Sequence, residues 1–135
     1  MKRCVIGLVS VVALAFAAPA AADPPTAFPF EIVFDDVNPC TGDTMTVTIA
    51  VTDFVHFHDS RVVVHAERTI TTSDGSVGHG TASFVGNGQI VKETFTDIMT
   101  NTSGGYHFRA SSVLVFEIST QTVRVERFDF SCLGP

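Results

Sequence analysis

The sequence predicts an all-β protein: a single antiparallel up-and-down β-barrel, or a closed sandwich, of about seven or eight strands with one disulfide. Apolar and polar residues alternate along successive segments, which is the pattern of half-buried strands. Short turns rich in Gly, Asn, Asp and Ser separate these segments. Val, Thr and Phe, which suit a pleated surface, are abundant: the chain has 12 phenylalanines and no tryptophan.

The start of the chain predicts export. Lys2 and Arg3 precede the uncharged apolar run 5–17, and small alanines follow it. The run is short for a bilayer span and prolines follow it, so we expect cleavage and no membrane span afterwards. The predicted organisation is a bacterial secretory signal at 1–22, a flexible leader at 23–29 and a β-barrel domain at 30–135, in a secreted or periplasmic protein.

Cleavage would change the cysteine count and the charge. Cys4 would leave with the signal, and an even pair in an exported chain, Cys40 and Cys132, predicts a disulfide. Loss of Lys2 and Arg3 leaves six basic against 14 acidic residues, a net charge of −8. A net negative charge of this size argues against nucleic acid and anionic membranes as partners.

The first two strands are predicted on either side of a turn. Alternation predicts a strand at 30–37, which Asn38 and Pro39 end. The second strand starts at Thr44 and is expected to continue to Phe57. Asp53 falls among its apolar positions, which predicts a bulge or break there.

Turn signals separate the remaining strands. Asp59-Ser60 predicts a two-residue hairpin connection to the third strand, and glycine-containing turns flank the fourth. Gly78 and Gly80 remove side chains from one face of the fourth strand, which favours a bend or the close approach of another backbone. The predicted third to seventh strands span 61–72, 77–85, 89–100, 106–118 and 123–132.

A sheet of this kind has to cover its edges and its apolar face. Closure into a barrel does both, and a two-sheet sandwich is the alternative. Long strands favour the barrel. A bond between Cys40, before the second strand, and Cys132, at the end of the last, would then lie at the closing seam.

Three histidines form the main candidate metal site. With a two-residue turn at Asp59-Ser60, His56, His58 and His65 share one face of the second and third strands. Histidines at alternate strand positions stand about 6 to 7 Å apart, close enough to bind zinc or copper. The alternative is a solvent-facing polar surface. No other cofactor is expected, and no residue is predicted to be catalytic, since the sequence lacks a nucleophile motif in its required context.

The chain resembles a group of exported bacterial β proteins that have no established activity. The resemblance rests on two motifs, the turn Asn38-Pro39-Cys40-Thr41-Gly42-Asp43 and the ending Arg127-Phe128-Asp129-Phe130-Ser131-Cys132. It implies a barrel-like exported domain and leaves function open.

Three functions remain open from the sequence. The first is non-catalytic binding of a small apolar ligand or a cell-surface partner, since a small barrel can enclose a ligand. The second is metal binding, or metal-dependent catalysis, by the histidine face. The third is a structural or adhesive extracellular module.

Overall fold

The protein forms one seven-stranded antiparallel sheet in a computed structural model, which describes residues 24–135. The predicted signal lies outside the described residues. Each strand pairs with its neighbours along the chain, in the order β1 to β7, and no described residue is helical. The strands are β1 Thr26–Val37, β2 Thr44–His58, β3 Arg61–Thr72, β4 Val77–Gly86, β5 Ile90–Asn101, β6 Tyr106–Glu117 and β7 Thr122–Gly134. The predicted fold class, strand order and up-and-down connections are confirmed.

Two details of the first strands differ from expectation. β1 begins at Thr26, so four residues of the segment expected to be a flexible leader instead pair with β2. Asp53 causes no bulge: β2 pairs with β1 and β3 without a register shift, and Asp53 is buried on the inner face. Burial raises the pKa of Asp53, and the charge of Arg68 on the same face offsets part of this rise.

The inner face holds two apolar clusters. The larger cluster lies at the end of the sheet where Cys40 and Cys132 meet, and we call it the disulfide-end core. It contains mainly β2 and β3 residues, with Met99 and Phe108 from later strands. β1 contributes three half-buried side chains to it, and β7 contributes Phe130. The open-end core is smaller and is formed by Val55, Val64, Phe84 and Val91. Residues from both sheet edges pack on one core, so the sheet must curl around it.

The sheet is not closed by hydrogen bonds. β1 pairs only with β2, β7 pairs only with β6, and no Cα atom of β1 lies within 8 Å of a Cα atom of β7. Seven is an odd number of up-and-down strands, so β1 and β7 run in the same direction and the antiparallel alternation fails between them. The barrel expected from the sequence is therefore open along one side, which we call the seam.

The predicted disulfide is present at one end of the seam. Cys40, in the turn after β1, bonds to Cys132 of β7, with 4.9 Å between their Cα atoms. The bond therefore ties the turn between β1 and β2 to the opposite edge strand. The other end of the seam, where β1 and β7 begin, has no such link.

A partly buried polar network joins the turns at the disulfide end. The Asn38 amide nitrogen donates to Asp74 Oδ2 (2.6 Å) and to Tyr106 Oη (2.9 Å), and Tyr106 Oη donates to Asp74 Oδ2 (2.9 Å). Asn101 donates to the Asp74 carbonyl oxygen and to Ser76 Oγ. We call this set the turn network. It connects the turns after β1, β3 and β5, although these are far apart in sequence.

Hydrogen bonding in the turn network favours the charged form of Asp74. Partial burial opposes ionisation, but donors from Thr72, Ser76 and Tyr106 outweigh it and hold the pKa of Asp74 well below its usual range. The ionised carboxylate is thus a structural acceptor that keeps three turns together.

Removal of the disulfide should destabilise the fold strongly. The bond closes a loop with a sequence separation of 92 residues, and the chain-entropy model gives about 4 to 5 kcal/mol for loops of this size. We expect the Cys40→Ala/Cys132→Ala double variant to lose a comparable free energy of unfolding in urea denaturation. Equal urea midpoints for this variant and the oxidised protein would contradict the assignment. So would a free thiol at Cys40 or Cys132, found by alkylation and mass spectrometry.

Candidate functional site

The histidine row lies on the outer face of the sheet. The predicted register is confirmed: His58 is opposite Arg61, His56 is opposite Val63, and His65 is opposite Phe54. All three imidazoles are exposed, and His58 contacts Asp59 at 3.2 Å in solvent. Within residues 24–135 there is no group of three or more His, Cys, Asp or Glu residues placed to hold a metal ion. The zinc or copper hypothesis stays a prediction that the geometry does not favour.

A charged layer lies on the inner face between the two apolar cores. Arg68 of β3 contacts Asp97 of β5 at 3.0 Å, and both side chains are almost buried. Asp53 of β2 and Glu93 of β5 are close enough to interact electrostatically with the same guanidinium. The Arg68 guanidinium also lies over the Phe95 ring, 4.6 Å from its centroid. One arginine thus interacts electrostatically with three carboxylates.

Gly80 makes the Arg68–Asp97 pair possible. The two residues occupy strands on either side of β4, and both are register partners of Gly80. A Cβ atom at this position would overlap Asp97 Oδ1 and would lie 2.5 Å from the Thr96 carbonyl oxygen. The absence of a side chain therefore lets Arg68 and Asp97 meet across an intervening strand. The sequence predicted a bend or the close approach of another backbone at these glycines, whereas the space above Gly80 is taken mainly by the Asp97 side chain.

Burial dominates the electrostatics of this layer. It raises the pKa of Asp97 to about 6, against the lowering effect of Arg68. Burial also raises the pKa of Asp53 and of Glu93, and the neighbouring Asp53 charge contributes to the rise at Glu93. A single guanidinium cannot compensate three carboxylates removed from water, so burial favours the protonated form of these carboxyls.

Two atoms of the charged layer have no hydrogen-bond partner. They are Arg68 Nε and Asp97 Oδ1, a donor and an acceptor in the same ion pair. Buried polar atoms of this kind are rare in folded proteins and often mark sites with a further role. These atoms lie near Phe95, whose ring contacts both the Arg68 guanidinium and Phe128 of β7.

Aromatic rings continue from this point to the seam. Phe95 meets Phe128 edge-on at 6.4 Å between centroids, and Phe128 contacts Phe130 at 6.3 Å. Phe130 in turn packs on Phe108 at 5.8 Å, within the disulfide-end core. Phe128 is 52% exposed although it lies on the inner face of β7, in register with Ser112. The open side of the barrel therefore presents aromatic surface that a closed barrel would bury.

Comparisons with known proteins returned no matching family model, no similar curated protein and no similar solved structure. The described residues contain no helix long and apolar enough to cross a membrane. The site must therefore be interpreted from its own chemistry.

Sequence reasoning identified the histidine row and missed the charged layer. The sequence did contain an indication of this layer, because Arg68 and Asp97 each occupy a position in a series of alternating apolar residues. Arg68 lies between Ala66 and Ile70 in that series, and Asp97 lies between Phe95 and Met99. Opposite charges on two strands that flank a glycine-rich strand are the pattern that would have predicted their contact.

Substitution of Gly80 by alanine should disrupt the charged layer. The added methyl group would collide with a backbone carbonyl and displace the Asp97 carboxylate, so we expect a loss of about 2 kcal/mol or more in the free energy of unfolding. Chemical denaturation measures this. Thr81→Ala, at an exposed position on the same strand, is the matched control and should cost much less. Equal losses for the two variants would show that position 80 has room for a side chain.

The Asp97 carboxyl should make stability depend on pH. Its pKa is raised from 3.8 to about 6 in the fold, so between these pH values the folded protein holds a proton that the unfolded chain has released. Stability from this group is complete below about pH 4 and falls as the pH rises towards 6 and above, by up to about 3 kcal/mol. Urea denaturation from pH 4 to pH 7 should therefore show the native protein losing stability relative to Asp97→Asn.

The control for this pH profile is Asp129→Asn. Asp129 is exposed and paired with Arg109, and its pKa is lowered, so it stays ionised throughout the same range. We expect the stability difference between this variant and the native protein to be constant from about pH 5 to pH 7, and to change only slightly and in the opposite direction near pH 4. A constant difference for Asp97→Asn as well would mean that Asp97 is ionised at pH 4.

Proposed function

We propose that the protein is an extracytoplasmic, non-catalytic binding protein that receives an apolar ligand or an apolar segment of a partner at the seam between β1 and β7. The observation that carries the proposal is the half-exposed aromatic surface on the inner face of the open barrel. Export is supported by the signal predicted at 1–22, and the Cys40–Cys132 disulfide is suited to an oxidising compartment.

The apolar character of the seam supports binding there. Phe128 is exposed at the edge of the inner face, and Phe28 of β1 is half-buried and packs against the open-end core. An isolated exposed aromatic residue is ordinary, but aromatic residues at both borders of one opening form a surface that gains free energy when it is covered.

The histidine face and the purely structural role have less support. The imidazoles are exposed and form no group with a further ligand among the described residues, so metal binding there is the weaker proposal. A structural module needs no opening into its interior, whereas this sheet leaves inner phenylalanines accessible. The seam is therefore preferred to both alternatives.

Binding of a neutral apolar probe tests the proposal. We expect Nile red to bind the native protein with increased fluorescence, and Phe128→Ser to weaken its affinity by about tenfold because a large part of the aromatic contact is removed. Val33→Ser is the matched control, since Val33 lies on the outer face of β1 and is 58% exposed. Absence of probe binding, or equal effects of the two substitutions, would contradict binding at the seam.

A further inference from the structure

The two strands that border the seam have free edges of the same polarity. β1 and β7 run in the same direction, pair with one neighbour each, and have no Cα atoms within 8 Å of each other. Paired strands lie about 4.8 Å apart, so one added strand would separate its two neighbours by about 9.6 Å. A strand that runs opposite to both would make every neighbouring pair antiparallel and would give eight strands, a number at which small barrels close.

β7 is the edge better suited to pair with an added strand. It has 13 residues, it pairs with β6 alone, and most of its residues are exposed. Among them are Val123, Val125 and Phe128. β1 contains Pro29, which has no N–H to donate. Natural proteins usually shorten or cover a long apolar edge of this kind, because it pairs readily with another chain.

The inner side chains of β7 define the chemistry of the strand that would fit. From the disulfide end towards the open end they are Phe130, Phe128 and Glu126, as their register with β6 shows. Glu126 is exposed, and Glu93 lies on the same inner face, two strands away through Leu114. Burial and the neighbouring Asp53 charge raise the pKa of Glu93, so a cation near this part of the face would favour its charged form. Two apolar positions are thus followed by one that favours a cation.

We propose that the occupant of the seam is an extended peptide segment that adds to β7 as an antiparallel strand. Its inward side chains are apolar beside Phe130 and Phe128, and lysine or arginine beside Glu126. This inference rests on the proposed function and names its partner class. Main-chain hydrogen bonds to β7 supply affinity, and the alternating inward side chains supply specificity, as in other cases of strand addition.

The apolar positions and the acidic position act together. An inward valine beside Phe128 covers a ring that is 52% exposed. An inward lysine beside Glu126 supplies a counter-charge for the exposed Glu126 carboxylate, which lies on the same inner face as Glu93. A purely apolar guest would leave that acidic end of the seam without a counter-charge.

The probe for this inference is a synthetic peptide of about nine residues. Threonine occupies its outward positions, valine the inward positions beside Phe130 and Phe128, and lysine the inward position beside Glu126. We expect the peptide to bind and to slow hydrogen exchange of β7 amides in the full exported chain. The matched control has the same composition with the lysine moved to an outward position, and it should bind about tenfold more weakly.

Two further variants separate strand addition from simple apolar contact. N-methylation of the peptide nitrogens that face β7 leaves its side chains unchanged but removes hydrogen-bond donors, and should weaken binding by about tenfold or more. Glu126→Lys should weaken the lysine peptide and strengthen a peptide with glutamate at that position. Glu67→Lys, on the outer face of β3, is the control substitution and should change neither affinity.

The outcomes distinguish this inference from the proposed function. If Nile red binds and depends on Phe128, but the peptide does not bind or binds equally when N-methylated, strand addition is wrong and apolar binding at the seam stands. If neither probe binds, both proposals are wrong. Equal affinity of native protein and Glu126→Lys for the lysine peptide would overturn the assignment of a cation to that position.

Discussion

The turn network and the disulfide hold one end of an otherwise unclosed sheet together. No hydrogen bond joins β1 to β7, so curvature at the seam depends on the contacts that converge on Asn38 and Cys40. Asn38 is 1% exposed and its amide is used on both sides: the nitrogen reaches Asp74 and Tyr106, and the oxygen accepts from the Cys40 backbone nitrogen. The Asn38 amide and the Cys40–Cys132 disulfide therefore anchor the turn after β1 by polar and covalent bonds. This position of the turn brings β1 over the core.

The charged layer gives the inner face an order that apolar packing alone would not specify. A shift of one residue in the pairing of any strand would move its inner side chains to solvent. For β3 and β5 such a shift would separate Arg68 from Asp97 and would fill the space above Gly80 with another side chain. Buried ion pairs contribute little net stability, but they penalise wrong arrangements strongly. A shifted register of these strands would therefore leave a buried charge without its partner, which is costly.

The sequence predicts local features of this fold better than distant ones. Strand positions and the register of His56, His58 and His65 follow from alternation and from a two-residue turn, which are both local. The Cys40–Cys132 bond followed from counting cysteines after removal of the signal. The contact of Arg68 with Asp97 could not be read from either strand alone, because it depends on a glycine in the strand between them. The open seam was also missed, because closure depends on the accumulated curvature of seven strands, which the alternating pattern does not encode.

The uncovered edge of β7 also affects how the protein behaves at high concentration. An exposed strand edge can pair with the edge of any other chain, so the free edge of β7 also favours aggregation. Two interruptions of register with β6, near Phe108 and near Phe116, limit the length of regular edge that another molecule can meet. Repulsion between acidic chains acts at longer range and weakens as salt screens it. The solubility of the protein should therefore depend on ionic strength as much as on the stability of its fold.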